Sequence, residues 1–147
     1  MSVPLLDTHA WIWYVAEPAK LERREIEALD ALDSPPFISD LSLWEVATLV
    51  SLRRLDLQPS FEHWISQATK PGVVRILPLT TEIAVELASL PDKFHRGPAD
   101  RVIVATARTH RLPLLTRDKR ILSSGLVQRW KPGTPAHIPR WPSGWCG

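Results

Sequence analysis

The sequence predicts an α/β fold built on a central, mainly parallel sheet, and three observations carry that prediction. Short apolar runs of strand length recur along the chain, at VPLLD (3–7), FIS (37–39), VVRILPL (73–79) and LPLLT (112–116). Helical patterns separate them, the alternation that parallel sheets with crossover helices require. Two of the runs lead directly to an aspartate, Asp7 and Asp118. In such sheets the C-terminal edge of the strands is where ligands bind, so both acids point to one edge.

In chain order, the run 3–7 reads as a strand buried on both faces, and Thr8 with the apolar group from Ala10 to Val15 as a short helix that Glu17-Pro18 stops. Asp7 then suits either a helix cap or a ligand. Residues 21–32 carry Leu21, Ile26, Leu29 and Leu32 among charges, an amphipathic helix with a solvated face. Ser34-Pro35-Pro36 breaks it before the second strand. Ser42 followed by Glu45 has the spacing of a capping box, and the helix LWEVATLVSL after it is apolar on most sides. That predicts a largely buried helix in which the Glu45 charge needs a partner. Arg53 and Arg54 close the helix, and Phe61, Trp64, Ile65 and Ala68 share the core-facing side of the next, from 60 to 68. Pro71-Gly72 turns the chain into the third strand, after which Thr80 or Thr81 caps a helix over 82–90. Pro98 fits a first helical position, placing Asp100 in the first turn, where the dipole favours a carboxylate. From Val102 to Ala107 only Thr106 is polar, so this helix is buried on most of its surface. Residues 126–130 are a candidate fifth strand.

At 147 residues the chain is long enough for one domain with a real core. Its 44% hydrophobic and 23% charged residues are ordinary for a soluble globular protein. The apolar runs fall far short of a membrane span and the N-terminus lacks a signal-peptide pattern, so a cytoplasmic protein is expected. Cys146 stands alone, which excludes an internal disulfide and a cysteine metal site. The stretch from Trp130 onward contributes Lys131 and Arg140 and no acid, which leaves 16 basic against 16 acidic residues in the body. The formal charge of +2 therefore gives no broad electrostatic footprint for nucleic acid. The expected organisation is a domain over 1–130 and a Pro/Trp-rich tail over 131–147.

Four acids, Asp7, Glu45, Asp100 and Asp118, thus sit at strand ends or in first helical turns. Held together without cations they would repel. A hard divalent cation resolves this, and oxygen ligands suit Mg²⁺ or Mn²⁺ while the lack of a His or Cys pattern argues against zinc. Such sites complete their coordination with water and phosphate, which makes phosphoryl transfer the natural chemistry.

Four segments, LLDTHAWIW (5–13), ISDLSLWEVATL (38–49), FHRGPADRVIVATAR (94–108) and LLTRDKRI (114–121), occur in the order and at the spacing of the PIN-domain family. The chain resembles in particular the VapC-type toxins of bacterial toxin–antitoxin pairs, over about 3–130. The resemblance implies a PIN-like fold and a Mg²⁺- or Mn²⁺-dependent endoribonuclease. It maps the family's acids onto Asp7, Glu45, Asp100 and Asp118, and its threonine near the metal onto Thr8. In the mechanism it implies, Asp7, Asp100 and Asp118 hold the cation and Glu45 orients or deprotonates the attacking water. Arg101, Arg117, Lys119 and Arg120 flank the acids as candidate RNA contacts, whereas His9 and His95 read as structural or surface residues. A VapB-type antitoxin and a homodimer are the expected protein partners, with Trp11, Trp13, Trp44 and Trp64 as candidate apolar surface or core. Where related sequences often carry a further Asp before the proline of the third segment, this chain has Gly97. Two other readings remain open at this stage: a non-catalytic domain whose acids bind a basic partner, and a structure-selective DNA nuclease.

Overall fold

The computed structural model describes residues 2–94 and 97–135. Four short strands, β1 (Leu5–Leu6), β2 (Phe37–Ser39), β3 (Arg75–Leu77) and β4 (Leu114–Leu115), form one sheet in the order β3-β2-β1-β4. Every pairing is parallel, with Leu5 opposite Phe37 and Leu114, and Ile38 opposite Ile76. The predicted fold class is therefore the observed one. The candidate fifth strand shrinks to a single parallel bridge between Leu114 and Arg129, made as Leu114 N–H donates to Gln128 O and Trp130 N–H to Leu114 O.

Seven helices surround the sheet among the described residues: α1 (Thr8–Ala16), α2 (Arg23–Asp30), α3 (Asp40–Ser51), α4 (Phe61–Ala68), α5 (Thr81–Ala88), α6 (Pro98–His110) and α7 (Lys119–Ser123). Short polar side chains accept the orphan amides at several of their starts. Ser60 caps α4, at the start expected for that helix, and Thr80 caps α5 as predicted. Helix α2 opens on a reciprocal box between Glu22 and Glu25. Helix α3 is a correction, because its cap is Ser39 and not Ser42. The chain turns from strand to helix with no loop between them, so Ser42 lies inside the helix, buried, with its hydroxyl 2.9 Å from Thr8 Oγ1.

Helix α6 behaves as its composition requires. Every residue from Val102 to Arg108 is buried, and Thr106 returns its hydroxyl to Val102 O at 2.6 Å. Helix α3 does not follow expectation: only Ser42 and Val46 on it are buried, and the Trp44 side chain is 51% exposed. Its apolar circumference outruns what the sheet and α6 can cover, because only one side of a helix faces a sheet. The core divides about the sheet. One cluster joins Leu6, Trp11, Ile38, Trp64, Leu115 and Trp130, and a second joins Leu5, Phe94, Ile103, Val104, Leu114 and Ile121. Trp11 and Trp64 meet at 5.1 Å between ring centroids, so these two tryptophans are core.

Trp130 is wholly buried, and its indole N–H donates to Ser2 O at 3.1 Å. The first tail residues continue this clasp, Ser2 N–H donating to Thr134 O at 2.9 Å. Residues 136–147 of the expected tail lie outside the described residues.

A carboxylate cleft at the strand ends

At the C-terminal edge of the sheet, Asp7, Glu45, Asp100 and Asp118 line one open cleft of about 320 Å³, together with His9, Trp13 and Arg117. Three structural devices bring them there. Asp7 follows β1 and caps α1, accepting the Ala10 amide at 2.8 Å, so the cap and site positions coincide in one residue. Asp118 caps α7 in the same way, accepting from the Arg120 and Ile121 amides. Asp100 lies in the first turn of α6 and Glu45 in the second turn of α3. A concavity of about 650 Å³ opens at the other edge around Pro35, Pro36 and Gly72 and contains none of the four acids.

Asp7 is the deepest of them, 8% exposed. Burial is the largest influence on its carboxyl and pushes the pKa up; the hydrogen bonds from Thr116 and Ala10 and the charge of His9 act against it, and Glu45 adds to the rise. A second oxygen of Asp7 accepts the Thr116 hydroxyl at 2.5 Å, and Thr116 Oγ1 in turn accepts the Asp118 amide at 3.0 Å. Thr116 therefore sets the relative positions of two of the acids. Sequence reasoning missed it, although its place between a buried strand and Asp118 was the available signal.

The predicted Thr8 is buried and not part of the lining; its hydroxyl engages Ser42 and ties α1 to α3. Of the flanking cations, Arg117 is at the cleft, with its guanidinium forked onto the Glu25 carboxylate. Arg101 donates to Phe94 O at 2.6 Å, and Lys119 and Arg120 are exposed on α7. His9 is exposed and stacks, tilted, on Trp13, while His95 lies outside the described residues. A Cβ at Gly97 would meet nothing within 4 Å, so no crowding prevents an acid at that place.

The lining acids offer only oxygen donors, and Asp7 is a buried carboxylate whose ionised form a cation would favour, so the residues fit a hard divalent cation. Among the described residues no three His, Cys, Asp or Glu side chains converge into a ready-made cage.

Known proteins resemble this chain in sequence and in fold. The PIN domain family matches residues 5–124. Ribonuclease VapC22 of Mycobacterium tuberculosis is 33% identical over 123 residues, covering 84% of this chain and 92% of that protein. Among solved structures, a toxin–antitoxin complex from Klebsiella pneumoniae aligns with TM-score 0.58 and 24% identity over 84% of this chain and 94% of that one. VapBC2 from Rickettsia felis, bound to a DNA fragment from its promoter, aligns with TM-score 0.67 and 13% identity over 87% and 97%. At these identities the two structures speak for the fold alone.

Proposed function

The chain belongs to the PIN-domain family, and from that premise we propose that it is a metal-dependent endoribonuclease, the toxin of a toxin–antitoxin pair. The observation that carries this reading is the gathering of Asp7, Glu45, Asp100 and Asp118 in one cleft at the ends of parallel strands. Asp7, Asp100 and Asp118 would hold Mg²⁺ or Mn²⁺, directly or through water, and the ion would supply Lewis-acid activation of the phosphoryl oxygen and of a bound water, whose pKa would fall from about 15.7 toward neutrality. Glu45, half-buried across the cleft, orients the attacking water and accepts its proton. Thr116 keeps Asp7 and Asp118 in register by its paired hydrogen bonds.

A VapB-type antitoxin is the proposed protein partner, and the cleft of mixed polarity lined by Ile12, Val15, Glu17, Leu55, Asp56 and Trp64 is the surface proposed for it. For the homodimer, the exposed Trp44 of α3 and Val85 of α5 are the natural surface. No helix among the described residues is long and apolar enough to cross a membrane, in keeping with the cytoplasmic place proposed for such a pair.

Cleavage of RNA by the purified protein tests the reading. RNA should be cut with added Mg²⁺ or Mn²⁺, survive in EDTA, and survive in the Asp7→Asn, Glu45→Gln and Asp100→Asn variants, with Asp118→Asn the mildest. Intact RNA at every metal concentration, across varied sequences and hairpins, would return the site to a binding role. Cleavage that persists in EDTA would move the chemistry to side chains such as His9.

A further inference from the structure

The body of the chain has no net positive charge, so a polyanion needs a local concentration of cations, and one adjoins the carboxylate cleft. A second cleft of about 330 Å³ is lined by Glu22, Arg24, Glu25, Arg129, Lys131 and Pro132. Its wall toward the acids is the Glu25–Arg117 pair: Glu25 lines the second cleft and Arg117 lines the first. The Glu25 side chain is only 4% exposed, and its charge is matched by the bidentate guanidinium. With that pair neutral, the second cleft presents Arg24, Arg129 and Lys131, all exposed, against Glu22 alone.

These three cations come from two segments of the chain, α2 and the stretch 129–131. Arg24 stands on the first turn of α2. Arg129 is fixed by its bridge to β4. Lys131 begins the clasp in which its amide donates to Thr134 Oγ1 at 2.8 Å and Thr134 holds Ser2. Cations brought from two segments to one concavity present a local positive wall to a polyanion, which a lone surface lysine does not. The alternative route, over α7, offers Lys119 and Arg120 on a five-residue helix, and Arg120 lines a neighbouring cleft with Lys93, Pro91, Phe94 and Leu126.

Resting on the nuclease reading above, we propose that the RNA strand leaves the carboxylate cleft over the Arg117–Glu25 pair and lays its phosphates in the cleft of Arg24, Arg129 and Lys131. The scissile phosphate then sits among the acids, while the phosphates beyond it supply affinity. Arg117 serves as the link, a cation that lines the carboxylate cleft and is held by Glu25, which lines the second cleft.

Anisotropy of a fluorescein-labelled 12-nucleotide single-stranded RNA, measured in EDTA so that no cleavage intervenes, tests the track apart from the chemistry. The full-length triple variant Arg24→Glu/Arg129→Glu/Lys131→Glu should bind at least about tenfold more weakly, with the slope of log K against log salt lower by about 2, since each phosphate contact to a single strand contributes about 0.7. Charge reversal at Arg53, Arg54 and Lys70, which line neither cleft, is the control for net charge and should leave both quantities unmoved. In cleavage assays with Mg²⁺ the triple variant should show its loss in KM for the 12-mer, with kcat within about threefold. Equal binding and equal salt slope in wild type and triple variant would overturn the track, and would leave the cleft to some other ligand such as an acidic protein segment. Binding that follows the prediction without any cleavage by wild type would keep the track and refute the nuclease reading instead.

Discussion

Replacing Glu25 by Gln should destabilise the protein by about 2 kcal/mol at neutral pH, and the loss should vanish in acid. Removing one partner of a fully buried ion pair costs about 3–5 kcal/mol, because the other charge is left without compensation. Here Glu25 is buried but the Arg117 side chain is 31% exposed, so water replaces part of what the carboxylate gave, and about half of that range remains. The introduced glutamine keeps the acceptor that closes the α2 box with the Glu22 amide, so helix capping survives. For a chain of this length about 2 kcal/mol corresponds to a fall in Tm of about 6 °C. The pH dependence follows from the carboxyl itself. Burial, the largest influence, pushes the Glu25 pKa up, but the hydrogen bonds from Arg117 and the Glu22 amide and the charges of Arg117 and Arg129 together hold it below 4.5. A depressed carboxyl contributes stability that is fully present above its unfolded pKa and lost as pH falls through the folded one. Urea unfolding of wild type and Glu25→Gln at a series of pH values from 7 to 3 should therefore show a difference that is constant down to about 4.5 and then shrinks toward zero. A difference that stays at its neutral value down to pH 3, or that is absent at pH 7, would refute the pairing as drawn.

Asp7→Asn has the opposite sign. The folded pKa of Asp7 is raised by burial, so its contribution is present at low pH and lost as pH rises through the folded value; in EDTA the Asn variant should be at least as stable as wild type at pH 7, with its advantage gone below pH 4, by thermal denaturation. Asp100→Asn should abolish cleavage with the circular dichroism spectrum and Tm retained, whereas melting would make Asp100 a cap and nothing more. Thr116→Val removes the hydroxyl that joins Asp7 to Asp118, and should lower stability by about 1–2 kcal/mol and reduce kcat in the cleavage assay. A chain ending at Trp130 should keep its turnover, measured as kcat, and bind RNA more weakly because Lys131 is gone, with about 1 kcal/mol of stability lost with the Ser2–Thr134 hydrogen bond.

What could be read from the residues alone was local: the starts of α4, α5 and α6, the burial of α6, the strand that precedes each of Asp7 and Asp118, and thus the four acids themselves. Caps and turns are made between residues within four positions of each other, so the chain's own neighbours specify them. At α3 local reasoning chose wrongly, taking Ser42 for the cap from its capping-box spacing, whereas the helix starts directly after β2 and Ser39, the last strand residue, caps it. The tertiary structure alone decided which side chains meet across the fold. Thr116 and Asp7 are 109 positions apart, Arg117 and Glu25 92, and Thr8 and Ser42 34. The same holds for Trp44, apolar like Trp11 yet exposed, because burial depends on which side of a helix the sheet covers. These relations follow from the order in which parallel strands lie side by side, and that order is set by packing the whole chain at once.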